Sequence, residues 1–184
     1  GTQLHLLEGH TKKVNVVCFL KVPSPVPGEE DMCMVASGSD DQTVGLWNLD
    51  DRSQRKRLEG HDAGVECLKV VHGQNPTPLL VSAGRTDAIH VWDPQQMELL
   101  YVLDCITVSD PRNALMVMSL SNGNPAVVCG TQDGKVELYD PYSGTLLANT
   151  KFPGTTPTAI APRGSNGILV GCANGRVCNF DFNY

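Results

Sequence analysis

Seven cysteines (Cys18, Cys33, Cys67, Cys105, Cys129, Cys172, Cys178) occur without a single Cys-x-x-Cys pair. Zinc ribbons and disulfide frameworks both rest on short, paired spacings, so neither is indicated. An odd number of thiols set in apolar runs such as "VVCFL", "MCMVA" and "AVVCG" fits small buried hydrophobes in a reducing compartment, cytoplasmic or nuclear. No apolar run is long enough to span a bilayer, and the start "GTQLHLLEGH" has neither the basic nor the apolar region of a secretory leader, so no membrane partner is expected. Basic residues are outnumbered, 14 Lys and Arg against 20 Asp and Glu, for a net charge of −6, whereas nucleic-acid-binding domains carry the opposite excess. Missing as well are the Gly-x-Ser-x-Gly elbow, the Gly-rich loop ending in Lys-Ser/Thr and the His-Glu-x-x-His helix. His5, His72 and His90 have no partners at metal-ligand spacing. The expectation is a protein with no catalytic residue, no metal site and no cofactor.

What is present is repetition. With 18 glycines and 12 prolines the composition favours many short strands joined by turns. Four segments align: "VASGSDDQTVGLWN" (35–48), "LVSAGRTDAIHVWD" (80–93), "VVCGTQDGKVELYD" (127–140) and "LVGCANGRVCNFD" (169–181). Their aromatic anchors Trp47, Trp92, Tyr139 and Phe180 are 45, 47 and 41 residues apart, a period of propeller blades and not of ankyrin or tetratricopeptide units. Each unit reads as strands without a helix. The second run of each ("MCMVA", "PLLV", "PAVV", "GILV") is almost continuously apolar, as expected of a strand covered on both faces. Sheets stacked face to face provide that cover.

Gly9-His10 and Gly60-His61 open the first two units, "SGSDDQT" supplies a tight central turn, and "LWN" and Trp92-Asp93 close third strands. In these features the chain resembles the WD-repeat β-propellers over essentially its whole length. The resemblance implies an all-β fold of four-stranded antiparallel blades, about 9–58, 59–103, 104–150 and 151–184, with an outer strand at 3–8 or one from elsewhere completing the last. The third unit keeps Asp133 and "LYD" but has "LDCITVSDP" where Gly-His would stand. The resemblance also implies a hydrogen-bonded chain of His10, Ser37, Asp41 and Trp47 in the first unit, acting on stability and not on chemistry. In the second it points to His61, Ser82 and Trp92; Thr86 holds the Asp position and Asp87 comes one residue late, so that network is expected to close differently.

As a function, the resemblance implies a non-catalytic scaffold that presents loops to partner proteins or peptides. The family's usual contact positions on the narrower face map to Lys13, Asn15 and Asp40 in the first unit, Glu66 and Arg85 in the second and Gln132 in the third. Two alternatives are a regulatory or oligomerising part of a larger enzyme, and phosphate or nucleic-acid contact through the basic run "RSQRKR" at 52–57. The run falls on the outer strand of its unit, where charge discourages edge-to-edge pairing. The proline-rich, acidic stretch "KVPSPVPGEEDM" (21–32), which contains Ser24-Pro25, reads as an exposed loop between the first two strands. Four such blades would close a ring only with steep rotation between neighbours. The chain is therefore expected to belong to a larger propeller, or to meet a second copy through exposed end blades.

Overall fold

The computed structural model describes residues 1, 6–24, 26–51, 53–85, 88–106 and 111–182, except the side chains of Gln54, Arg55, Asp104, Ile106 and Pro111. The first sheet runs β1 (Val14–Val22), β2 (Met32–Ser39), β3 (Val44–Asn48) and β4 (Gln54–Leu58), each strand antiparallel to the last. The second repeats the meander with β5 (Val65–Val71), β6 (Leu79–Gly84), β7 (Ala88–Asp93) and β8 (Glu98–Ile106). The third holds β9 (Leu115–Ser119), β10 (Pro125–Gly130), β11 (Lys135–Tyr139) and β12 (Leu146–Lys151). The fourth has three strands, β13 (Pro157–Arg163), β14 (Gly167–Cys172) and β15 (Val177–Asp181).

Two details differ from the sequence reading. A four-residue helix, α1 (Pro111–Ala114), stands just before β9 in a unit expected to be helix-free. The proline-rich insertion is shorter than 21–32, because Lys21, Val22 and Met32 pair as strand, Lys21 with Cys33 and Val22 with Met32. The remaining loop is tied down: Ser24 Oγ donates to Glu29 at 3.2 Å, and Gln95 Nε2 donates to the Pro23 carbonyl at 3.1 Å. Of the proposed closing strand, residues 3–5 lie outside the described residues, and Leu6–Glu8 take no strand pairing.

Alternation of side chains across each strand gives every sheet two faces, and consecutive sheets bury one against the next. Leu20, Met34, Ala36, Leu46 and Leu58 of the first sheet meet Leu68, Leu80 and Trp92 of the second. The other face of the second (Val71, Val81, Ala83, Ile89, Val91, Leu103) meets Leu115, Val127 and Tyr139 of the third. The other face of the third (Met116, Met118, Val128, Val136, Leu138, Phe152) meets Ile168, Val170 and Phe182 of the fourth. This is why β6 and β10 are buried at every position, as their unbroken apolar sequences suggested.

Among the described residues, no sheet covers the stack at its two ends. Val17 and Phe19 pair across β1–β2 with Ser37 and Val35, just as Leu68 and Val70 pair with Ser82 and Leu80. The two pairs of positions are equivalent in register, yet Val17 is 65% and Phe19 54% exposed while Leu68 is 5% exposed. At the far end Leu169 and Val177 are exposed on β14 and β15. Among the described residues the inner strands β1, β5, β9 and β13 neighbour one another in that order, and no comparable packing joins β13 to β1.

Equivalent positions should therefore respond differently to truncation. Leu68→Ala and Leu80→Ala are expected to cost about 2–5 kcal/mol each by denaturant unfolding. Val17→Ala and Phe19→Ala should stay within about 0.5 kcal/mol, as exposed substitutions usually do. Equal losses at both sets would mean that the front of the first sheet is covered.

Candidate functional site

In the first unit the Gly-His segment crosses the top of β2 and β3, and four side chains form one directional chain. Trp47 Nε1 donates to Ser37 Oγ at 2.7 Å, and Ser37 Oγ lies 2.7 Å from His10 Nε2. His10 Nδ1 lies 2.9 Å from Asp41 Oδ2. A carboxylate can only accept, so Nδ1 carries the proton and Nε2 accepts from the serine hydroxyl. Every polar atom of the chain is then paired, which makes its burial tolerable. Two members were not read from the sequence. Thr43 donates to Asp41 Oδ1 through Oγ1 at 2.6 Å and N–H at 3.2 Å, and the Thr11 N–H donates to Oδ2 at 2.9 Å. An Asp followed two residues later by Thr is the local signal for such a turn. Burial would raise the Asp41 pKa, but the bonds from Thr43, Thr11 and His10 outweigh it and hold the carboxyl well below its ordinary range.

Gly45 completes the arrangement by having no side chain. It pairs with Ser37, and a Cβ there would come within 2.9 Å of Ser37 Oγ and Trp47 Nε1 and 3.0 Å of His10 Nε2. The second unit repeats the chain with Trp92 Nε1 donating to Ser82 Oγ at 2.7 Å and His61 Nε2 at 2.6 Å from the same oxygen. Here His90 occupies the place of Gly45, paired with Ser82, with its ring 3.9 Å from that of His61 and stacked on Trp92. Thr86 and Asp87, the disputed acidic position, lie outside the described residues. In the third unit Asp133 takes its bonds locally, from Thr131 Oγ1 at 2.5 Å and from the Lys135 ammonium at 2.6 Å. Those two partners, Lys135 first, lower its pKa.

The six expected contact residues all fall at one end of the sheets, at the starts of β1 and β5 and in the turns β2–β3, β6–β7 and β10–β11. The structure does not leave them equally free. Asn15 Nδ2 donates to Asp40 Oδ1 at 2.6 Å and to the Val65 carbonyl at 3.2 Å, tying the first sheet to the second. Glu66, mostly buried, accepts from Arg85 Nε at 2.7 Å, with Arg112 Nε 3.9 Å from its other oxygen. Lys13, Arg85 and Gln132 present exposed side chains. Gln132 lines a groove of about 550 Å³ with Lys151, Phe152, Thr155 and Asn174, between the third and fourth units. In the basic run, β4 is the outer edge of its sheet and Arg57 donates to the Gly9 carbonyl. Arg52 and the Arg55 side chain lie outside the described residues.

Two measurements follow for the first network. His10→Ala leaves Asp41 short of a donor and should cost about 1–3 kcal/mol, read from denaturant midpoints. A carboxyl whose pKa is depressed on folding stabilises the native state at all pH above its unfolded value of about 3.9 and loses that contribution as pH falls through the folded value. The stability difference between the parent and Asp41→Asn should thus be constant at neutral pH and shrink below about pH 4. A difference that instead shrinks toward alkaline pH would remove this assignment.

Residues 1–48 and 52–93 match the family model "WD domain, G-beta repeat". The probable coatomer subunit beta' of Schizosaccharomyces pombe is 26% identical over 171 residues, 92% of this chain and 20% of that protein. The small ribosomal subunit protein RACK1y of Oryza sativa subsp. japonica is 28% identical over 144 residues, 78% of this chain and 38% of that protein. The chain thus spans well under half the length of these relatives. The solved WD40 beta propeller domain of Doa1 superimposes with a TM-score of 0.65 at 21% identity, over 96% of this chain and 53% of that one, a likeness of fold. Taken with the in-register His-Ser-Trp chains of its first two sheets, these matches show that the chain belongs to the WD-repeat family of β-propeller proteins.

Proposed function

We propose that this chain is a non-catalytic scaffold whose strand-end turns bind partner proteins or peptides. The family is in general one of protein-interaction scaffolds, and the relatives matched here carry the names of a coatomer subunit and a ribosomal-subunit protein. The observation that supports the reading is the division of labour at one end of the sheets. Asn15, Asp40 and Glu66 are engaged in holding neighbouring turns together, and they frame the exposed Lys13, Arg85 and Gln132. A rim whose turns are held together and which carries exposed polar side chains is a surface that can be read by another protein at small entropic cost. All seven cysteines are free thiols, which supports a reducing, cytoplasmic setting.

Affinity capture from a lysate, with the chain as bait, tests the surface. Arg85 is left in place, because it is the cation paired with the mostly buried Glu66 and its loss would destabilise the turn itself. Lys13→Glu with Gln132→Ala should reduce capture of a specific partner about tenfold or more, with melting temperature nearly unchanged. Loss of the same partner on deletion of residues 23–31, with the double variant fully active, would move the working surface to the opposite end.

A further inference from the structure

The third unit carries a different set of side chains at the place where the first two keep their hydrogen-bonded chain. Register identifies the positions: Ser37 pairs with Gly45, Ser82 with His90 and Cys129 with Glu137. Likewise Val35 pairs with Trp47, Leu80 with Trp92 and Val127 with Tyr139. Serine has become cysteine, tryptophan has become tyrosine, and glycine or histidine has become glutamate. A second thiol, Cys105, arrives from β8 of the preceding sheet, with its Sγ 3.6 Å from that of Cys129. The two sulfurs and a carboxylate oxygen of Glu137 all lie within 4.8 Å of one another, and each residue is less than a tenth exposed.

We propose that Cys105, Cys129 and Glu137 form a binding site for a thiophilic divalent cation of the zinc class, bridging the second and third sheets. Two sulfurs and one carboxylate are a donor set that zinc accepts, with a fourth position left for another ligand. A tetrahedral ion with bonds of about 2.3 Å to sulfur holds two sulfurs about 3.8 Å apart, close to the separation seen. Cys105 and Cys129 belong to an apolar cluster with Val127, Leu115 and Ile89, and burying an ionised carboxylate beside it is costly without compensation. Tyr139 Oη donates to Glu137 Oε2 at 2.8 Å, which orients the group, and the Lys135 ammonium stands 3.8 Å from Oε1. Two thiolates and a carboxylate around a divalent ion sum to one negative charge, which that ammonium offsets. The contact with Cys105 and burial push the Cys129 thiol well up, and a cation bound through sulfur releases the thiol proton.

Titration of Co2+ into the reduced, metal-free chain tests the site. One equivalent should bind, with a near-ultraviolet thiolate-to-cobalt absorption that Zn2+ abolishes by displacement. Cys105→Ser and Cys129→Ser should each remove that absorption, while Cys33→Ser, which changes a thiol outside the cluster, should leave it intact. Glu137→Gln keeps both sulfurs and should weaken Co2+ binding at least about tenfold. A reduced wild-type chain that shows no such absorption would overturn the proposal, and so would an absorption that survives Cys105→Ser. Because the first outcome is read on the unaltered protein, it does not depend on the variants folding.

Discussion

Every other feature of this molecule depends on the burial of one sheet face against the next. A single four-stranded meander has an apolar set on each side and no way to cover either by itself. Stacking solves this for the inner faces: Leu46 and Met34 cover Trp92 and Leu80, and Val81 and Ile89 cover Val127 and Leu115. Burial of apolar area at roughly 25 cal/mol per Å² is what such a stack has to set against chain entropy. It also dictates sequence, since a strand covered on both sides has no solvated face on which to alternate. The same constraint explains why Val17, Phe19, Leu169 and Val177 stand out: they occupy stacking positions on faces that no sheet of the described chain covers.

Polar chains are the second layer of specification. The Trp-Ser-His-Asp sequence of bonds fixes where the Gly-His segment lies on its sheet, a decision that non-directional apolar contact makes poorly. The three units fill the equivalent positions with different sets of side chains. Where the first unit leaves room with Gly45, the second fills it with His90 stacked on Trp92, and the third fills it with Glu137 bonded to Tyr139. Residues that look like decay of a motif in a linear reading are, in three dimensions, alternative fillings of one polar niche.

The repeat, the strand order and the first network were legible in the sequence because each depends on offsets within one unit. Trp47 lies ten residues after Ser37 just as Trp92 lies ten after Ser82, and the antiparallel register follows from that spacing. Helix α1 was not legible, since its four residues replace a connector and carry no periodicity of their own. Nor was the cluster of Cys105, Cys129 and Glu137, whose members come from β8, β10 and β11; no linear spacing reports contact between separate sheets. The available hint was positional, a cysteine standing where two other units have serine. Asn15, Asp40 and Glu66 were read from the family pattern as contact residues, and their engagement with neighbouring turns could only be seen once those turns were placed.

Stacking as the organising interaction has a direct consequence for local stability, because a sheet covered on both faces should open only with its neighbours. Amide hydrogen exchange resolved by residue measures this. The slowest amides should lie in β6 and β10 of the second and third sheets, with β1 and β15 at the uncovered ends exchanging markedly faster. Protection in β1 and β15 equal to that in β6 and β10 would contradict the account, since it would require the outer faces to be covered as well as the inner ones.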